Sequence, residues 1–354
     1  MPDFTAFLAS SAEDRRGAFL TTAAQLNTGE ANVEKDFWVC WTLDALFNRL
    51  PAGGPRLLFK GGTSLSKGYG LISRFSEDVD VTVFRDDLGQ QASVADLEAL
   101  SGRKRKAKLD EIKAACQAHI AGPLRDQLTG LLAASLAEAS VDAPQARVEP
   151  DAEDPDRQTL LIWYPSVSPQ AADDYIRRAI KIESGAKSAL DPNHPRVVKP
   201  YVDDVLPDLD LSVPDVTTVD PERTFWDKVV IAHGLRRWFE KRGELRGGGQ
   251  RVSRHYYDLH RLMETIGPVA AADLALGADC VAHARMFFNS PDLDLASAMP
   301  GQFTLTPNDK MLEALIRDYA AMGGMIFGEV PAIEVVMASV AELQGRLNAA
   351  VEEG

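Results

Sequence analysis

A chain of 354 residues is long enough to bury a substantial core and to hold two subdomains. With 45% hydrophobic and 25% charged residues it has the make-up of an ordinary globular protein, and no apolar run approaches the length of a membrane span. A net charge of −14 argues against general affinity for nucleic acid, though not against a local basic surface. The opening MPDFTAFLASSAEDRR lacks the basic, apolar and small-residue order of a signal peptide. Cys40, Cys116 and Cys280 are odd in number, far apart and without metal-ligand spacing. They read as reduced core thiols of a cytoplasmic protein. Helical spacing over residues 12–26 puts Phe19, Ala23 and Leu26 on one side. Glu34-Lys35-Asp36 then marks a helix start and leads into FWVCWTLDALFNRL, an apolar helix suited to the core. Pro51-Ala52-Gly53-Gly54-Pro55 breaks the chain.

The stretch that follows, FKGGTSLSKGYGLISRFSEDVDVTV over 59–83, carries the chemistry. A short apolar strand turns at Gly61-Gly62 into Thr63-Ser64, where glycine lets backbone approach a ligand and leaves amides and hydroxyls for phosphate oxygens. In Asp78-Val79-Asp80-Val81 the alternation predicts a strand with both carboxylates on one face. Two adjacent acids repel unless a cation lies between them, and hard oxygen ligands suit magnesium. Taken singly, the first element is a turn and the second a solvated strand face. In this order, one short helix apart, they read as metal-assisted nucleotidyl transfer.

Lys60-Gly61-Gly62-Thr63-Ser64-Leu65-Ser66-Lys67, followed by Arg74-Phe75-Ser76-Glu77-Asp78-Val79-Asp80, resembles the first motif of the AbiEii/AbiGii toxin family. That resemblance implies an α/β (α+β) fold: a polymerase-beta-like nucleotidyltransferase core with a mixed sheet, followed by a helical C-terminal region. Glu34-Lys35-Asp36 also resembles the N-terminal helix of the family, which would bring Lys35 toward the active site.

Beyond Val83, residues 94–139 are helical by pattern with a break near Gly122-Pro123, and 141–155 reads as a surface connection. Residues 159–164 predict a buried strand. Residues 175–183 predict another, with Ile176, Arg178, Ile180 and Ile182 on one face and Tyr175, Arg177, Ala179, Lys181 and Glu183 on the other. The resemblance implies a third metal-binding carboxylate here, which makes Glu183 the candidate. An exposed Lys181/Glu183 pair is the competing reading. Arg196-Val197-Val198 and the chain to Leu211 read as short extended segments, their acids as solvation.

Asp220 as N-cap and Pro221 at the first helical position open a helix. Its TFWDKVVIAH resembles the lysine motif of the family, in which the ammonium meets the triphosphate, so Lys228 is the candidate. Residues 236–254 hold seven basic side chains against Glu240 and Glu244. A second basic run, Arg103-Lys104-Arg105-Lys106, reads as a solvated helix face. GELRGGGQ (243–250) reads as a mobile connection, and Ser253 as the cap of a helix carrying SRHYYDLHRL. Arg254, Tyr257, Asp258 and Arg261 share a face of that helix. By resemblance Asp258 matches the acid of the last family motif, with a site-lining role favoured over metal binding. Residues 279–288, 310–322 and 332–347 predict three further helices.

These readings give a core over 1–218 with N-terminal helices, and a helical domain over 219–354 contributing to the active site. Asp78, Asp80 and Glu183 would bind Mg2+. Gly61, Gly62, Thr63, Ser64, Lys67, Lys228 and Arg254 would hold an NTP, with Asp258 beside them. The resemblance further implies transfer of a nucleoside monophosphate to the 3′ end of tRNA, halting growth, and a cognate antitoxin encoded nearby. A protein or aminoglycoside-like small-molecule acceptor, and a non-catalytic binding protein of the same fold, stand as alternatives.

Overall fold

A computed structural model of the protein describes residues 2–76, 78–169, 177–249 and 251–349. The first half carries α1 (Phe4–Ala9), α2 (Ala12–Leu26), α3 (Glu30–Asp44), β1 (Leu57–Lys60), α4 (Gly61–Lys67) and β2 (Asp78–Val83). Next come α5 (Val94–Glu98), α6 (Gly102–His119), α7 (Arg125–Glu138), β3 (Arg147–Pro150), β4 (Thr159–Trp163), β5 (Ala179–Gly185), β6 (Asn193–Val198) and β7 (Val213–Val219). The remainder is helical: α8 (Pro221–Arg242), α9 (Ser253–Met263), α10 (Gly267–Ala270), α11 (Leu274–Phe287), α12 (Asp309–Met322) and α13 (Ile333–Ala349). Two compact units result. One contains Met1–Gly68, Phe75–Ala92 and Lys106–Val219; the other contains Tyr69–Arg74, Ser93–Arg105 and Asp220–Gly354. No helix among the described residues is long and apolar enough to cross a membrane.

The first unit is an α/β body around a mixed seven-stranded sheet of order β3-β4-β5-β2-β1-β7-β6. The pairs β2/β5 and β1/β7 are parallel, and the others antiparallel. Its central helix is α3, buried continuously from Val33 to Asp44, as expected of a helix enclosed on every side. Phe37 and Trp38 tie it to Phe4, Phe7, Phe19 and Tyr164 through ring contacts. The helix ends in a π-helical turn, Ala45–Arg49. A second π-helical turn, Ile120–Leu124, carries Pro123 and joins α6 to α7, so the expected break is a widened turn that absorbs the missing proline N–H.

Strand β3 lies where a surface connection was expected. It is an edge strand with one buried side chain, Val148, and a terminal Pro150 that an edge tolerates. Strand β5 begins only at Ala179, so Arg177 and Arg178 precede the strand expected to include them; within it Ile180 and Ile182 are buried while Lys181 and Glu183 are half-buried, and Tyr175 and Ile176 lie outside the described residues.

In the second unit, α9 packs against α8, α12 and α13, and α11 packs against α8. Met311, Leu315, Tyr319 and Met322 of α12 and Val336, Val340, Leu343 and Leu347 of α13 are buried at helical spacing. Trp226 on α8 lies against Gly277 on α11, where an added Cβ would stand 2.7 Å from the indole ring. Ser253 is the first residue of α9 rather than its cap. Asp318 of α12 accepts the backbone N–H groups of Arg251 (2.7 Å) and Ser253 (2.6 Å), a long-range cap on a helix start. Gln250, the last residue of the glycine-rich stretch, lies outside the described residues. Cys40, Cys116 and Cys280 are free and buried.

Candidate active site

In β2, Val79 and Val81 are fully buried, so Asp78 and Asp80 project from the opposite, half-buried face. The parallel register with β5 sets Lys181 beside Asp78 and Glu183 beside Asp80. The antiparallel register with β1 sets Lys60 on the other side of Asp80. Cross-strand partners share a face, so Asp78, Asp80 and Glu183 form a row of acids flanked by two lysines. Lys60 Nζ is 3.9 Å from Asp80 Oδ1, and Lys181 Nζ donates to Glu183 Oε1 at 2.6 Å. Partial burial works against the Lys181 charge, but Glu183 and then Asp78 outweigh it and hold its pKa above the ordinary value. Three acids against two lysines leave one net negative charge.

Among the described residues no three His, Cys, Asp or Glu side chains converge on a ready-made metal cage. Magnesium does not require one: it is commonly held by one or two carboxylates together with substrate phosphates. Asp78 and Asp80, hard oxygen donors two residues apart on one face, fit that pattern.

Behind the acids the chain turns from β1 into α4 at Gly61, whose φ is +78°. A Cβ there would lie 2.1 Å from Asp80 Oδ2, so the carboxylate rests directly against the glycine. Thr63 and Ser64 are fully buried. The Thr63 hydroxyl sits 2.7 Å from Ser76 Oγ and 2.5 Å from the Asp78 carbonyl oxygen, and the Ser64 hydroxyl donates to the Gly61 carbonyl at 2.9 Å. Both hydroxyls thus brace the turn and β2, while Gly61 and Gly62 remain half-buried. The Lys67 ammonium points away from the turn, onto Asp36 and over the ring of Tyr201.

The helical unit holds a second cluster. Asp258 is fully buried. Arg74 Nε and Nη2 donate to its two oxygens at 2.8 and 2.9 Å, and Lys228 Nζ donates at 2.7 Å. Burial alone would raise the Asp258 pKa; the Arg74 and Lys228 cations instead hold it well below the usual carboxylate range. Burial pulls Lys228 below its ordinary value, Asp258 opposing. Burial, with Lys228 and Arg254 nearby, keeps His255 neutral, its pKa far below the usual imidazole value. Arg74 is located by its own backbone: the Ser73 carbonyl accepts from Tyr257 Oη (3.2 Å) and Phe327 N (2.9 Å). Arg74, Lys228 and Arg254 against Asp258 amount to two net positive charges.

Much of the basic excess at 236–254 is offset. Arg236 and Arg237 pair with Glu240, Arg237 approaches Asp294 at 3.8 Å, and Arg242 pairs with Asp292. Arg246 lies over the Trp238 ring.

Asp78, Asp80 and Glu183 therefore come together on the sheet, and Lys228, Asp258 and Arg254 in the helical unit. Lys181 makes the pair with Glu183 that the competing reading of this strand expects, and cross-strand register also sets it beside Asp78. Lys60 and Arg74 stand inside the first motif as charges without an assigned role, and their partners Asp80 and Asp258 are set by strand register and by packing within the helical unit.

The family model described as nucleotidyl transferase AbiEii toxin, type IV TA system, matches residues 44–345. Among solved structures, the nucleotidyltransferase toxin MenT4 from Mycobacterium tuberculosis H37Rv aligns over 94% of this chain and 98% of its own, with 15% identity and a TM-score of 0.41. At that distance it adds nothing to the family match. No curated protein matches the chain in sequence.

Proposed function

The chain belongs to the AbiEii nucleotidyl transferase toxin family of type IV toxin–antitoxin systems, and on that premise we propose that it transfers a nucleoside monophosphate from an NTP to the 3′ end of tRNA, using magnesium held by Asp78 and Asp80. The observation that carries the reading is the row of acids on β2 and β5, with Asp80 pressed against a glycine that leaves room for nothing larger. Bound magnesium supplies Lewis-acid activation of the acceptor hydroxyl and neutralises charge on the departing pyrophosphate.

The chain's own groups do the rest. Thr63 ties the glycine turn to the backbone of Asp78 and fixes where that carboxylate begins. Lys60 and Lys181 limit repulsion within the acid row while leaving it net negative. Glu183, next to Asp80, would be the third carboxylate to hold the metal, in exchange for its pair with Lys181. In the helical unit, Lys228 and Arg254 supply positive charge for the triphosphate, and Asp258 holds Lys228 and Arg74 in fixed orientation. Family membership also implies a cognate antitoxin.

The acceptor rests on likeness to family members that modify tRNA. The ion pairs that offset the 236–254 cluster favour a second reading with the same metal chemistry, a protein or small-molecule acceptor. Purified protein, magnesium, each α-labelled NTP and a cell extract, with Asp80→Ala alongside, test both. Label in a tRNA-sized band that vanishes in the variant supports the first reading; label in protein or a small metabolite supports the second. Undiminished transfer by a folded Asp80→Ala protein would refute the assignment of the acid row.

A further inference from the structure

Three consecutive charged residues near the start of α3, Glu34, Lys35 and Asp36, are 2%, 3% and 2% exposed. Buried charge is costly unless every group finds its partner. Each of these does, and each reaches a different segment of the same unit. Glu34 accepts from the Ser166 hydroxyl (2.5 Å), Val167 N (2.6 Å) and Ser168 N (3.3 Å). Arg178 donates to the same segment, at Ser166 Oγ and the Ser168 carbonyl. Lys35 donates to the Arg177 carbonyl at 3.0 Å, just ahead of β5. Asp36 accepts from Tyr201 N at 2.7 Å and pairs with Lys67, the last residue of α4.

The Lys67 side chain is 4% exposed, and an ammonium has three N–H donors. Around it stand Asp36, the Lys199 carbonyl at 3.3 Å and the Tyr201 ring centroid at 3.2 Å, which accounts for all three directions. From Lys67 to Gly61 the helix is one stiff rod of roughly 9 Å. Its far end is the glycine against which Asp80 rests.

We propose that Asp36 is a positioning residue for nucleotidyl transfer, with Lys67 its strut rather than a ligand of the triphosphate, and that the pair acts through α4 to hold the Gly61 turn against Asp80. Glu34 and Lys35 do the same for the approach to β5, the strand that brings Glu183 beside Asp80. The inference rests on reading the Asp78–Asp80 face as the active face.

Three full-length proteins test it: wild type, Lys67→Met, and the double variant Asp36→Asn with Lys67→Met. Two quantities are measured, amide hydrogen exchange over residues 61–67 and calorimetric affinity for ATP, GTP, CTP and UTP with magnesium. Lys67→Met leaves Asp36 buried and unpaired, so exchange should rise at least about tenfold and affinity should fall. The double variant removes both charges, keeps an acceptor for Tyr201 N, and should return both quantities to within about threefold of wild type. A double variant with restored slow exchange but affinity still about tenfold or more below wild type has lost a charged phosphate contact, and that result overturns the strut. Wild-type exchange in Lys67→Met overturns it equally. Should Lys67→Met not fold, the double variant decides alone. If wild type binds none of the four nucleotides, the active-face reading fails, while the exchange comparison still decides the strut.

Discussion

Replacing Asp258 with Asn should be among the most damaging single changes in the helical unit. The wild-type carboxylate is fully buried, and its two oxygens receive Arg74 at 2.8 and 2.9 Å and Lys228 at 2.7 Å. Asparagine keeps one acceptor oxygen, turns an NH2 toward the cations and removes the negative charge that Asp258 sets between Arg74 and Lys228. Breaking a buried pair in this way costs about 3–5 kcal/mol. At about 2–4 °C per kcal/mol for a body of this size, the melting temperature should fall by roughly 6–20 °C. The control is Asp292→Asn, which breaks the pair with Arg242, whose side chain is 55% exposed; an exposed pair is worth about 1 kcal/mol or less. Thermal unfolding of the three proteins at neutral pH makes the comparison. The pH dependence is a second handle. The Asp258 pKa is lower in the folded protein than in the unfolded chain, where it is about 3.9, so its stabilisation is complete above that value. It fades as pH falls toward the folded-state value, and the gap between wild type and Asp258→Asn should narrow in acid. If Asp258→Asn melts within a few degrees of Asp292→Asn, or the gap widens below pH about 4, the ion-pair argument is wrong.

Gly61→Ala should abolish transfer at modest cost in stability: the left-handed backbone adds about 1–2 kcal/mol of strain, and the new Cβ, 2.1 Å from Asp80 Oδ2, must turn the carboxylate away. Full transfer by this variant would contradict the close packing of turn and acid. Glu183→Gln should leave the melting temperature within a few degrees of wild type, since its pair with Lys181 is half-exposed. It should raise the magnesium midpoint for transfer about tenfold or more; an unchanged midpoint would leave Glu183 a partner of Lys181 alone. Gly277→Ala drives a methyl group into the Trp226 ring at 2.7 Å and should cost about 1–3 kcal/mol by overpacking. A neutral melting curve would mean that α8 and α11 separate more easily than their packing indicates.

Local physics alone made part of this protein legible. The alternation Asp78-Val79-Asp80-Val81 dictates that two acids share a strand face wherever the strand is placed. Gly61 allows a turn that other residues resist, and Asp220-Pro221 dictates a helix start. Those signals are short-range, and they suffice for the class of chemistry and for most of the elements. The helix over α2 has the residues expected for it, Ala12–Leu26.

Partners distant in the chain could not be read, because nothing local encodes them. Register between β2 and β5 put Glu183 beside Asp80 and supplied Lys181. A packed helix unit brought Asp258 onto Arg74 and Lys228, and Asp318 onto the start of α9 in place of Ser253. Burial gave Glu34-Lys35-Asp36 and Lys67, which in the sequence look like helix-start charge and a phosphate contact, partners inside the first unit that the sequence does not show. A charge takes its role from its surroundings: in water it is solvated wherever it stands, whereas inside the protein it must find an opposite charge or a dipole. The sequence by itself determined the carboxylate pair, the glycine turn and the chemistry they allow. Only the tertiary structure decided which cations answer which acids, since that choice depends on strand register and helix packing between residues up to 184 positions apart.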